Sequence, residues 1–100
     1  MELTIRPRRL RTSDTLRRMV RETRVSPDSL IYPLFLVEGE NIKEPIPSLE
    51  GQWRYSPDLV CEEIEECLNA GVSRVLLFGI PAHKDACGSS AWDPNGVVQQ

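Results

Sequence analysis

Two short apolar runs punctuate an otherwise polar chain: residues 30–37 (LIYPLFLV) and 72–81 (VSRVLLFGIP). Each is too short for a core helix and is rich in β-branched or aromatic residues, the signature of strands. Pro33 carries no N–H for a ladder bond, so it belongs near the start of its strand or where a partner is absent. Neither run alternates with polar residues, and strands apolar on both faces belong to parallel sheets covered on both sides.

Between the runs, residues 57–70 show helical periodicity. Val60, Ile64, Cys67 and Leu68 fall on one face, and Glu62, Glu63, Glu65 and Glu66 on a wet one. Ser56 is placed to cap this helix, Pro57 to occupy its first position and Asp58 to meet its positive end. Gly71 supplies the left-handed residue that stops it. The second run follows at once, as the short helix-to-strand return of a parallel α/β unit requires. The expectation is therefore strand 30–37, helix 57–70 and strand 72–80, a parallel strand–helix–strand unit. One helix cannot cover two such strands, so the chain reads as the opening piece of something larger.

Residues 1–11 have little apolar periodicity and read as an extended arm. Ser13 or Asp14 caps a helix over residues 15–23 with Leu16, Met19 and Val20 on a narrow apolar stripe, and Ser26, Pro27 and Asp28 break it. Residues 41–55 (NIKEPIPSLEGQWRY) form a long connection, read as a hairpin that plugs one end of a barrel in preference to a functional loop. Residues 82–95 read as loop. Residues 96–100 look like the first turn of a further helix. The boundaries are thus 1–28 for an N-terminal arm with a short helix and 29–100 for the sheet-forming part.

The composition, 40% hydrophobic and 27% charged, is that of a soluble globular chain. No apolar run approaches the roughly 20 residues of a membrane helix, and the first residues lack a secretory pattern. A net charge of −3 hides an asymmetry: residues 1–25 hold eight Arg against three acids, whereas residues 26–100 hold four basic residues against twelve acids. An all-Arg set favours forked pairing with carboxylates. The arm therefore reads as docking on an acidic neighbouring subunit in preference to a solvated surface. Nucleic acid is disfavoured, because no aromatic interleaves the arginines. Cys61, Cys67 and Cys87 are odd in number without CxxC spacing, as expected of reduced thiols in a cytoplasmic protein.

Four groups could carry chemistry. Lys84, between His83 and Asp85, stands after the second strand; a desolvated lysine there would form Schiff bases, but no apolar pocket is legible and a solvated loop lysine is the better reading. His83 with Cys87 gives two metal ligands where zinc needs four, or three plus water. Gly88, Ser89 and Ser90 resemble part of a phosphate-cradling loop without its full pattern, so a turn is the better reading. Phe78 stands at the C-terminal end of its strand, where α/β barrels collect ligand groups; a core-filling Phe is an equal alternative.

The order of these pieces resembles the porphobilinogen synthase (δ-aminolevulinic acid dehydratase) family. The residues that carry it are 6–11 (RPRRLR), 19–23 (MVRET), 30–39 (LIYPLFLVEG), 44–51 (EPIPSLEG), Arg54, Tyr55 and Ser56, 75–81 (VLLFGIP) and 84–91 (KDACGSSA). The resemblance implies a (β/α)8 TIM barrel of which this chain holds the first two strands, preceded by an arm that embraces a neighbouring subunit of a homo-octamer. It implies a hydro-lyase of heme biosynthesis that condenses two 5-aminolevulinate molecules to porphobilinogen, with loss of water, through lysine Schiff bases. It implies zinc or magnesium in the whole enzyme, with the catalytic lysines and the cysteine-rich metal loop beyond Gln100. Lys43, Lys84, Cys61, Cys67 and Cys87 do not match those positions, so no catalytic or metal residue is expected here. Phe78 matches a phenylalanine that lines the substrate cavity. The rival reading is a non-catalytic binding or assembly module built on the Arg-rich arm.

Overall fold

The structure, a computed structural model, describes residues 4–100; the first three residues of the expected arm lie outside the described part. Its centre is a four-stranded mixed sheet in the order β2-β3-β1-β4, formed by β1 (Tyr32–Val37), β2 (Lys43–Pro45), β3 (Trp53–Tyr55) and β4 (Val75–Ile80). The two apolar runs do pair in parallel, with Tyr32 opposite Val75 and Val37 opposite Ile80. Both strands are shorter than their apolar runs. Leu30 and Ile31 precede β1, and residues 72–74 link helix to strand.

The connection 41–55 is the hairpin the sequence suggests, yet it lies beside β1. β2 and β3 pair antiparallel, and β3 then adds to β1 in parallel, with Phe35 opposite Arg54 and Leu36 opposite Tyr55. It thus extends the sheet. Pro33 sits on the N-terminal half of β1, below the β3 pairing, where its missing N–H is tolerated.

Helix α2 (Val60–Asn69) is shorter than expected at its start, and Ser56 does not cap it. Pro57, Asp58 and Leu59 form a turn instead. The Ser56 hydroxyl, fully buried, accepts from the Ile42 N–H at 2.9 Å, so it is spent on closing the hairpin. The Ser56 carbonyl receives the first helical N–H groups, those of Leu59 and Val60. At the other end Gly71, at φ +92°, ends the helix as predicted.

Leu34, Leu36, Tyr55, Val60 and Val97 form the core, with Tyr32, Leu59 and Ile64 packed against it. Val60, Ile64 and Cys67 face the sheet as the helical period requires. Leu68 does not: it lies about 80° round from Val60 at 100° per residue and stays exposed. The core occupies one face of the sheet only. On the other, Leu76 and Phe78 of β4 remain open to solvent, and Leu77, on the core side beside Leu34, is itself exposed, so the described residues do not supply the cover that the apolar runs call for.

In the arm, α1 (Asp14–Val20) begins as read, with Ser13 Oγ accepting from the Leu16 N–H. It ends three residues earlier than the predicted 15–23, because Arg21 turns extended and Arg24 takes up the carbonyls of Arg18 and Met19. A single 3-10 turn at Arg9–Arg11 interrupts the expected extended stretch. No residue of these two elements is buried, and Ile5, Leu10, Met19 and Val25 are all exposed. The radius of gyration, 21.5 Å, far exceeds the roughly 13 Å of a compact chain of this length. Residues 96–100 make one helical turn, closed by the Gln99 and Gln100 N–H groups on the Gly96 carbonyl.

Candidate functional site: the uncovered face of the sheet

Side chains alternate across a strand, so the covered face identifies the open one. Tyr32, Leu34 and Leu36 of β1 point toward α2. Pro33, Phe35 and Val37 therefore point away from it. Register carries the same division across the sheet: Leu76, Phe78 and Ile80 of β4 and Arg54 of β3 share the face of Phe35. Phe35 and Phe78 stack there, ring centroids 5.4 Å apart and planes 19° apart. Such pairs contribute about 0.5–1.5 kcal/mol beyond area burial. Phe78 remains 45% exposed. An aromatic pair, an arginine and four apolar side chains (Pro33, Val37, Leu76 and Ile80) thus form an open, mostly apolar surface.

Gly79, next to Phe78, points the other way. A Cβ there would stand 2.7 Å from Val98 Cγ2 and 2.9 Å from Val97 Cγ1, so only glycine lets the 96–100 turn close on the strand. A cavity of about 380 Å3 opens beside it, lined by Pro81, Lys84, Ser90 and Gln99 among others. Lys84 is exposed, as a solvated loop lysine should be. Its neighbour Asp85 accepts from the Ser89 N–H at 2.9 Å and from the Ser89 hydroxyl. Gly88, at φ +62°, starts the 3-10 turn Ser89–Ala91, which is the turn preferred over a phosphate cradle. His83 offers its carbonyl to the Ser90 hydroxyl.

Cys67 is buried with its thiol on the Val72 carbonyl, while Cys61 and Cys87 are exposed. Among the described residues no three His, Cys, Asp or Glu side chains gather as a metal requires.

Three residues matter more than their sequence positions suggest. Glu63, read as a solvated helix residue, accepts from the Tyr32 hydroxyl at 2.7 Å and from the Tyr55 hydroxyl at 3.0 Å. One carboxylate thereby ties α2 to both β1 and β3. Burial first, then the Glu63 carboxylate, pushes the Tyr32 phenol up to about 12 and that of Tyr55 up as well. Asp58 is held below the ordinary carboxyl range, first by the Ser56 hydroxyl and then by the Asn41 N–H. The third is Arg54, whose alternation with Trp53 and Tyr55 was the available signal for its place opposite the core.

Residues 4–100 match the family described as Delta-aminolevulinic acid dehydratase. The chain is 62% identical over 95 residues to the delta-aminolevulinic acid dehydratase of Ruminiclostridium josui, covering 95% of this chain and 46% of that protein. It is 50% identical to the one from Staphylococcus epidermidis, again over 95% of this chain but 29% of the relative. The chain thus spans less than half the length of these relatives. Its fold is similar to that in a crystal structure of delta-aminolevulinic acid dehydratase (porphobilinogen synthase) from Toxoplasma gondii ME49 in complex with the reaction product porphobilinogen. The TM-score is 0.84 at 35% identity, over 96% of this chain and 28% of that one. With the match running through nearly every described residue, sheet and arm alike, the chain belongs to the delta-aminolevulinic acid dehydratase family.

Proposed function

We propose that this chain forms part of a porphobilinogen synthase, a hydro-lyase that condenses two 5-aminolevulinate molecules to porphobilinogen with loss of water in tetrapyrrole synthesis. β1 and β4 are read as the first two strands of its (β/α)8 barrel, residues 29–100 as the barrel's start and residues 1–28 as the arm. The observation that carries the reading is the stacked Phe35–Phe78 pair on an uncovered apolar sheet face, within a chain that matches the family over residues 4–100. Phe78 is the residue proposed to line the substrate cavity. It would pack against substrate and help exclude water from the Schiff-base lysines, which need a dry pocket. Those lysines, and the zinc or magnesium, are assigned to residues outside this chain, whose own part is to wall the pocket.

The arm is proposed to dock on a neighbouring subunit of a homo-octamer. Its exposed apolar side chains and its excess of arginine support that role. A cytoplasmic setting suits three free cysteines, and among the described residues no helix is long and apolar enough to cross a membrane. The rival, a non-catalytic assembly module, draws on the same arm.

The test replaces the matching segment of the Staphylococcus epidermidis enzyme with this chain and assays porphobilinogen formation from 5-aminolevulinate. The chimera should turn over, and Phe78→Ala in it should raise KM. The 100-residue chain alone should give no product. A folded, octameric chimera without activity would overturn the enzymatic reading in favour of the assembly module.

A further inference from the structure

We propose that Arg74 is the positioning residue of the arm: it fixes the direction in which a pre-ordered arm leaves the sheet to meet a second copy of the chain. That the arm docks there rests on the function proposed above; its order and direction rest on the fold.

No residue of Arg9–Arg11 or α1 is buried, so packing on the sheet does not set the course of the arm. Arginines on backbone carbonyls do. Arg17 Nη1 donates to the Arg11 carbonyl at 3.0 Å and joins α1 to the 3-10 turn before it. Arg24 Nη2 reaches back to the Arg18 and Met19 carbonyls at 3.2 and 3.4 Å, which closes the end of α1. Residues 9–24 are thereby one piece. Only Val25 and Ser26 separate it from the 3-10 turn Pro27–Ser29, and the proline holds Ser26 extended, at φ −135° and ψ 160°.

That turn is fastened to the sheet from two sides. Pro27 lies against the stop of α2, where a Cβ on Gly71 would meet the Pro27 Cβ at 3.4 Å. Arg74, at the entry of β4, donates from Nη1 to the Asp28 carbonyl at 2.7 Å, a bond between residues 46 positions apart. The Ser29 and Leu30 N–H groups close the turn on the Ser26 and Pro27 carbonyls, which leaves the Asp28 carbonyl for Arg74. The Arg74 carbonyl accepts from the Tyr32 N–H at 2.9 Å, at the first residue of β1. One residue thus holds the turn with its side chain and the strand with its backbone. A guanidinium stays charged at any accessible pH, and its bonds are stronger than those between neutral groups. An arm held this way docks without the ordering cost of a free tail. Arg6, Arg8, Arg9 and Arg21 make no ion pair among the described residues and are left for the partner. A second copy suits them, because its residues 26–100 carry twelve acids against four basic residues.

Sedimentation of the chimera at falling concentration tests this. Arg74→Gln should raise the concentration of half-dissociation roughly tenfold, as loss of one charge-assisted bond does, and Arg74→Lys should recover part of that loss. Asp28→Asn should change nothing, because the acceptor is the backbone carbonyl. Hydrogen exchange at the Leu30 N–H, which closes the turn, should quicken about tenfold in Arg74→Gln. A residue that merely stabilised β4 would lower Tm and leave half-dissociation where it was. The inference is overturned if Arg74→Gln dissociates like the wild type, or if Asp28→Asn reproduces its effect. If a chimera lacking residues 1–25 assembles like the intact one, the docking role of the arm fails on its own account. Exchange at Leu30 then decides on Arg74, and an unchanged rate overturns its hold on the turn.

Discussion

Replacing Glu63 with Gln has an unusually direct readout, because the chain contains two tyrosines and both donate to that carboxylate. Ultraviolet absorbance of tyrosinate therefore reports on this one network. With Tyr32 pushed up to about 12, roughly a tenth of it should be ionised at pH 11, against about nine-tenths for an ordinary phenol. Tyr55 should be ionised still less, its pKa being raised further by the same causes. The Glu63→Gln substitution keeps the burial, which is the largest cause, and removes the negative charge. The midpoints should then fall part of the way toward 10 and not reach it. Hydrogen bonds to charged groups contribute about 1.5–3 kcal/mol each. Glu63 is partly exposed, so the lower end applies, and Glu63→Ala should cost about 3 kcal/mol for its two bonds. The folded-state phenol values lie above the unfolded one. Their contribution to stability is thus complete below about pH 10 and is lost as pH rises through 12. Wild-type chain titrating in one step near 10, or a Glu63→Gln curve superimposable on wild type, would refute the reasoning.

Gly79→Ala should lower stability by about 1–3 kcal/mol, because its Cβ meets Val97 and Val98 at under 3 Å; urea unfolding of the chimera measures this, and a neutral result would show that the turn can move. Ser56→Ala removes the acceptor of the Ile42 N–H and should cost about 1–3 kcal/mol, with faster hydrogen exchange at Ile42 confined to the hairpin. The Asp58 carboxyl is depressed, so its bond to the Asn41 N–H should hold above the ordinary carboxyl range and fail only as pH drops through the lowered value. Exchange at Asn41 should quicken in that acid window, and Asp58→Asn should abolish the pH dependence.

Much of the fold was written locally. The strands announce themselves as apolar runs, and α2 as a periodic face stopped by Gly71. The α1 start follows from one serine oxygen on one backbone N–H. Each of these depends on residues within a turn or two of one another, so the sequence alone determines them. Ser56 shows where that reasoning stops. Its pattern is that of a helix cap, but a hydroxyl serves whichever N–H comes within reach, and the hairpin brings Ile42. Tertiary structure decided it, and with it the start of α2.

The same division holds at the candidate site. Phe78 could be singled out as a candidate because it stands near the C-terminal end of an apolar run. Arg54 and Glu63 were not, because their roles follow from which face each strand presents and which carboxylate two distant phenols meet. Those facts arise only when β3, three residues long, lies down beside β1. The sequence determined the pieces through short-range periodicity and capping. Their register and orientation came from the packing of residues far apart in the chain, and that packing makes one face of the sheet a core and leaves the other as a surface waiting for cover.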